Sequence, residues 1–177
     1  ICVEDPLREE AADAVRELKE AGITKVVMMT GDSERTAAAI AKRVGVDEYY
    51  SEVLPEDKAS FVEKEKELGH KVIMIGDGIN DSLALSSASV GIAISDGAAI
   101  AREIADVTIS ADNLHEIVTL KRLSTALMKR IHNNYRTIIG INGGLIALGV
   151  TGIIMPTTSA LLHNMSTLTI SLRSMRN

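Results

Sequence analysis

The stretch Lys71-Val72-Ile73-Met74-Ile75-Gly76-Asp77-Gly78-Ile79-Asn80-Asp81 carries two carboxylates, Asp77 and Asp81, with little side-chain bulk between them. The apolar run before Gly76 has the composition of a buried parallel strand. Such a strand delivers Asp77 to its carboxyl end, where open α/β sheets bind ligands. Hard oxygen donors at this spacing, with Asn80 alongside, suit Mg²⁺ and a phosphate next to it. A lone Asp before a helix is explained by N-capping. The full string, with Gly76 and Gly78 bracketing the carboxylate, is far more specific than a cap requires.

Two further places bear on a phosphate. Thr30-Gly31-Asp32 follows the apolar stretch Lys25 to Met29. A hydroxyl and a glycine amide at a strand's carboxyl end, facing a helix start, form an anion seat. Asp32 or Ser33 is also a candidate cap for that helix. Lys58 lies in the first turn of a helix opened by Leu54-Pro55-Glu56-Asp57. Most helix lysines are solvated, but one placed a single strand before the Gly76 to Asp81 loop is positioned to neutralise a phosphoryl group.

The elements that must position these residues alternate. Ile1 to Val3 reads as a strand, Glu9 to Ala21 as a helix with Gly22 at its C-cap, and Lys25 to Met29 as a strand. A helix to about Val44 follows, then a connection over Val46 to Val53 with a possible strand, and a helix to Leu68. Next come the strand Val72 to Ile75, a helix to about Ser87, the strand Val90 to Ile94, the turn Ser95-Asp96-Gly97, a helix over Ala98 to Ala105, and an edge strand over Val107 to Ile109. Strand and helix in repeated alternation with short loops predict an α/β, Rossmann-like parallel sheet with flanking helices.

Charge divides the chain. All 24 acidic residues lie at or before Glu116, with 12 basic ones; from Ile117 onward there are seven basic residues and no acid. A helix is expected from Asn113 to about Tyr135, with Lys121, Arg122, Lys129, Arg130 and Arg136 on its basic side. Ile138 to Ile154 is uncharged, about 25 Å as a helix, and Met155-Pro156-Thr157-Thr158 breaks it. A second uncharged run, Ser159 to Leu172, ends at Arg173 and Arg176. This pattern predicts a C-terminal transmembrane α-helical hairpin with both basic ends on the cytoplasmic side; a buried hydrophobic hairpin is the alternative. Asn142 and His163, inside the two runs, are candidates for an ion site or for hydrogen bonds that hold the helices together. The expected domains are thus 1–112, a basic linker helix over 113–136 and a helix pair over 137–173. Scarce aromatics and the lack of a basic face interleaved with them argue against nucleic acid. A lone cysteine, Cys2, excludes a disulfide framework and fits a reducing compartment. The start inside an apparent strand, without Met, points to a piece of a longer protein.

Asp5-Pro6-Leu7-Arg8, Thr30-Gly31-Asp32, Pro55-Glu56-Asp57-Lys58, Gly76-Asp77-Gly78-Ile79-Asn80-Asp81 and Val90-Gly91-Ile92-Ala93-Ile94 together resemble the C-terminal part of heavy-metal-transporting P-type ATPases. Those pumps belong to the haloacid-dehalogenase-like (HAD-like) superfamily. The resemblance implies a phosphorylation domain that uses ATP and Mg²⁺, attached to the last two membrane helices of a multi-pass membrane protein. It implies that Thr30, Gly31 and Lys58 bind the phosphoryl group, that Asp77 ligates Mg²⁺ with Asn80 and Asp81 around it, and that Asp32 lies near the nucleotide. Asp5 to Arg8 would form a hinge.

The family's nucleophilic aspartate sits in Asp-Lys-Thr-Gly-Thr, a string this sequence does not contain. The chain alone is therefore expected to be inactive and to need the N-terminal part of the same pump. Ser82-Leu83-Ala84-Leu85 departs from the family's proline before Ala-Leu. Ile141-Asn142 and His163 stand where copper pumps carry Tyr-Asn and Met, which argues against copper. The Lys and Asp of the zinc and cadmium branch are absent as well. His163-Asn164-Met165-Ser166-Thr167 resembles the His-Glu-Gly-Ser-Thr of the cobalt and zinc branch, and implies a divalent cation of the zinc, cobalt, iron or manganese class. Competing readings are a soluble phosphatase of the same superfamily and a non-catalytic, membrane-anchored metal-binding protein.

Overall fold

The computed structural model describes residues 10–76, 79–94, 103–109 and 113–175. It divides into two compact units, residues 1–121 and 122–177. The expected strand Ile1 to Val3, the Asp5 to Arg8 segment, the turn at Ser95 to Gly97 and most of the helix after it lie outside the described residues.

In the first unit, α1 (Ala11–Glu20) leads to β1 (Val27–Met29), α2 (Glu34–Val44), β2 (Glu48–Tyr50), α3 (Pro55–Glu67) and β3 (Ile73–Gly76). A 3-10 turn over Ile79–Asp81, α4 (Ser82–Ser87), β4 (Val90–Ile94) and β5 (Val107–Ile109) complete it. The expected stop after α1 is present: Gly22 takes φ +95°, and Ile23 N–H reaches back to the Leu18 carbonyl at 3.0 Å.

Every strand pairing is parallel, as short αβ alternation requires. The expectation of one continuous sheet is corrected. Among the described residues β1 pairs only with β2, while β3, β4 and β5 form a separate sheet in that order, with β5 at its edge. Strand pairing is a long-range choice that local hydrophobic pattern does not encode.

Alternation along β3 and β4 sends side chains to two opposite faces. Ile75 and Ile92 pack with Ile109, Leu18 of α1 and Ile117. On the other face, Met74 meets Val62 and Ala84, and also Leu85 and Ala93, beneath α3 and α4. Small residues let α4 lie close: a Cβ on Gly91 would fall 2.6 Å from the Leu85 carbonyl oxygen.

The helix that starts at His115 runs without a break to Val150 (α5), and Pro156–Met175 forms α6. The expected boundary near Tyr135 is therefore absent. Polarity changes there, but no Gly or Pro stops the backbone ladder at Arg136-Thr137. α5 spans 36 residues, about 54 Å. Among the described residues no helix is long and apolar enough to cross a membrane.

Candidate functional site

β3 ends at Gly76, and the 3-10 turn folds the chain back so that Asp81 sits against that glycine. A Cβ at position 76 would lie 2.6 Å from Asp81 Cβ, so only glycine fits the approach without displacement. Asp81 is the single buried charged or polar residue among those described, at 8% exposure. Its partner is Lys58, whose Nζ donates to Asp81 Oδ1 at 2.7 Å. α3 aims that lysine. Pro55 fits its first turn, and the Asp57 carboxylate accepts the Leu54 N–H at 3.2 Å. Lys58 then falls one turn in, over the carboxyl end of β3. Asn80 is exposed on the 3-10 turn. Asp77 and Gly78 lie outside the described residues.

Thr30, Gly31 and Asp32 form a second group at the carboxyl end of β1. The Thr30 hydroxyl donates to Asp32 Oδ2 at 2.7 Å and accepts the Asp32 N–H at 3.1 Å. Of the two candidate caps, Asp32 and Ser33, it is Ser33 that stands at the N-cap of α2, and it makes no side-chain cap bond. The segment after β2 clamps this turn. Thr30 N–H binds the Tyr50 carbonyl, Val53 N–H the Thr30 carbonyl, and Glu52 N–H the Asp32 carbonyl, at 3.0, 3.0 and 2.9 Å. Glu52 adopts φ +52°, the sole positive φ at a non-glycine among the described residues. Thr30 through Asp32 and Lys58 with Asp81 are thus two separate clusters, joined by no hydrogen bond among the described residues.

Two supporting contacts carried no sequence signal. Glu34 accepts from Ser51 Oγ at 2.6 Å and Tyr49 Oη at 2.8 Å; these hydroxyls hold its carboxyl below the usual range. Asp47 accepts from Lys19 Nζ at 2.7 Å and Val26 N–H at 2.8 Å. The Lys19 ammonium first, and then that amide, hold it low as well. Both tie β2 or its flanks to neighbouring elements.

In the second unit, His163 Nδ1 and Asn142 Oδ1 are 2.8 Å apart, joining α6 to α5. The amide oxygen can only accept, so this contact needs a proton on Nδ1. A groove of 630 Å³ lies beside the pair, lined in part by Leu145, Ile146, Gly149 and Ser159. Among the described residues no three His, Cys, Asp or Glu side chains gather as a metal site. Three hydroxyls on α6 bond within the helix: Ser166 and Thr167 bond the His163 carbonyl at 2.8 and 3.0 Å, and Thr169 that of Met165 at 2.8 Å.

Comparison with known proteins shows the family. The family model for haloacid dehalogenase-like hydrolases matches residues 1–89. The chain is 37% identical over 177 residues to the zinc-exporting P-type ATPase of Mycobacterium marinum, covering 99% of this chain and 24% of that protein. It is 42% identical over 162 residues to copper-transporting ATPase 2 of Rhizobium meliloti, covering 92% of this chain and 19% of that protein. Among solved structures, a zinc-transporting PIB-type ATPase superimposes with TM-score 0.84 at 34% identity, over 98% of this chain and 28% of that one. The chain thus spans between about a fifth and a quarter of the length of these two relatives. It belongs to the haloacid dehalogenase-like hydrolase family, and its similarity to metal-transporting P-type ATPases runs through both long helices.

Proposed function

We propose that this chain works as part of an ATP-driven transition-metal transporter, with residues 1–112 in the phosphorylation domain, 113–136 as a basic helix and 137–173 as a membrane-spanning helix pair. The observation that carries the reading is the part-buried Lys58–Asp81 pair at the carboxyl end of β3. A partly desolvated ammonium, held by a carboxylate at a strand end, is positioned to stabilise charge on a transferring phosphoryl group. Thr30 and the Gly31 amide face the same chemistry from β1, and Asp32 holds the Thr30 hydroxyl.

Mg²⁺ fits the donor chemistry in a limited way. Asp81 already gives Oδ1 to Lys58. A carboxylate has a second oxygen, so Asp81 can fix that lysine and still join Asp77 and Asn80 as an oxygen donor for an ion that keeps several waters. Bound there, the ion supplies charge neutralisation on the phosphate oxygens.

The covalent step needs an aspartate from Asp-Lys-Thr-Gly-Thr, a string not found in this sequence. The reading therefore places the nucleophile on another segment of the same pump. For the helix pair, the intrahelical bonds of Ser166, Thr167 and Thr169 lower the cost of burying that part of α6 in lipid. The basic residues at the outer ends of the two runs support a multi-pass membrane protein whose phosphorylation domain is cytoplasmic. Asn142 and His163 are its candidate ligands for a divalent ion of the zinc, cobalt, iron or manganese class.

The test uses the whole protein that carries this segment, in proteoliposomes. Lys58→Ala should lower phosphoenzyme formed from ATP by about 100-fold or more, and His163→Ala should spare phosphorylation while weakening metal stimulation. The 177-residue chain alone should form no phosphoenzyme. Ordinary phosphoenzyme in Lys58→Ala would remove the pair from the site. A soluble phosphatase of the same family is favoured by one observation, the lack of a sufficiently apolar helix among the described residues. Recovery of the chain in the aqueous phase after detergent phase separation would decide for it.

A further inference from the structure

The second unit contains a cleft that the transporter reading does not use. It measures 860 Å³ and is lined by Lys129, Arg130, Asn133, Asn134, Arg136 and Thr137 of α5 with Arg173 and Ser174 of α6. Its α5 side follows helical spacing: 126, 129, 130, 133 and 137 share one face. Asn134 Nδ2 donates to Ser174 Oγ at 3.1 Å, fastening the two helices at the cleft. Four cations converge here, and no acidic residue occurs anywhere from Ile117 to Asn177.

We propose that this cleft is a binding site for the phosphate headgroup of an anionic membrane phospholipid; the inference rests on the membrane reading of α5 and α6. Planar guanidinium groups bind phosphate through paired N–H donors, and Asn and Ser side chains add neutral donors around them. Position selects a lipid over free phosphate. The cations sit where charge stops and the apolar run starts. Ile138 and Ile139 begin two residues after Arg136, and Leu172 and Leu168 precede Arg173. All four apolar side chains are exposed, at 37, 53, 56 and 62%. A headgroup held by the cations would leave acyl chains running along these residues, a path that inorganic phosphate has no use for. Basic pockets between membrane helices on the cytoplasmic side take anionic headgroups for this reason.

The chain, purified in neutral detergent at 0.15 M salt, is titrated with phosphatidylglycerol, phosphatidylcholine and inorganic phosphate, and retained lipid is read by native mass spectrometry. The expected result is retention of phosphatidylglycerol over phosphatidylcholine. Arg136→Gln with Arg173→Gln should weaken it about 25-fold, at about fivefold per cation. Lys129→Gln alone should cost about fivefold, which gives a second reading if the double variant does not fold. Lys121→Gln with Arg122→Gln removes equal charge from α5 outside the cleft and should weaken retention far less. Equal losses in the two double variants would mean diffuse attraction and overturn the site. Displacement of the lipid by inorganic phosphate at matched concentration would overturn the lipid assignment. Resistance to alkaline extraction from pure phosphatidylcholine vesicles is measured in parallel. A chain that inserts there but shows no preference for phosphatidylglycerol refutes the site alone. One that does not insert refutes the membrane reading and the site with it.

Discussion

A methyl group added at position 76 would sit 2.6 Å from Asp81 Cβ, 2.8 Å from its Oδ2 and 2.9 Å from its Cγ. Neither partner can yield freely. Gly76 is in register with Ala93 on β4, and Asp81 is buried with Oδ1 on Lys58. Gly76→Ala should therefore push Asp81 aside and stretch its bond to Lys58. Overpacking of this kind costs about 1–3 kcal/mol, and distortion of a largely desolvated ion pair adds to it. The better strand propensity of Ala returns about 0.5–1 kcal/mol. The net loss is about 2 kcal/mol, or about 30-fold in the opening constant of β3 and β4. Hydrogen exchange of β3 and β4 peptides reads that constant directly. A double-mutant cycle isolates the cause. In an Asp81→Gly background the methyl group has room, and Gly76→Ala should become neutral or slightly stabilising, a coupling of about 2 kcal/mol. Equal losses in both backgrounds, or no loss in the first, would refute the close-approach argument.

Gly91→Ala should be harsher. Its Cβ would meet the Leu85 carbonyl oxygen at 2.6 Å and carbon at 3.2 Å, backbone atoms that cannot rotate away, so about 3 kcal/mol or more of stability is expected to disappear in urea unfolding. Ile92, 1% exposed between β3 and β5, should lose about 2–5 kcal/mol on truncation to Ala, with exchange speeding across the whole three-stranded sheet. Acid should loosen β1 and β2 first. Asp47 and Glu34 have folded pKa values below their ordinary ones. Their contribution is full above the unfolded carboxylate range and fades as pH falls through the folded values. Amide protection in β1 and β2 should be level near neutrality and decline in acid, and Asp47→Asn should flatten that decline.

How much of this was legible in the sequence depends on how far apart the partners are. Glycine after α1, Pro55 at the start of α3 and the alternation of strands and helices are local signals, and they located the elements to within a few residues. The Gly76 to Asp81 string likewise marked a strand end with chemistry. Its internal geometry was less visible. Lys58 and Asp81 are 23 residues apart, and residue type alone makes each a plausible phosphate or metal neighbour without showing that they hold each other. Asp32 is well placed for a cap by spacing, yet the nearer Thr30 hydroxyl competes successfully for its carboxylate. The contacts from Glu34 to Tyr49 and Ser51, across 15 and 17 residues, leave no local trace. At the start of the second unit a shift in polarity imitates a helix end, but helices stop where the backbone is interrupted, and nothing interrupts it there.

The separation of β1–β2 from β3–β4–β5 bears on the proposed chemistry. Parallel sheets are normally covered on both faces, yet β2 is exposed at all three residues and Ile73 of β3 is 40% exposed. β1 and β3 share no ladder, and each carries half of the candidate site at its carboxyl end. On the proposed reading, a strand bearing the nucleophilic aspartate pairs with both and unites the sheets. It would deliver its carboxylate between the Thr30 hydroxyl on one side and Lys58 on the other. Thr30 gives its single hydroxyl proton to Asp32, and Lys58 gives Asp81 one of the three donors of its ammonium. A phosphoryl group then competes with Asp32 for the one Thr30 proton, whereas the Lys58 ammonium can donate to it without releasing Asp81. On the proposed reading a phosphoryl group on an aspartate would meet the hydroxyl, the amide and the ammonium together, whereas a lone carboxylate at Thr30 would only replace the Asp32 contact with an equivalent one.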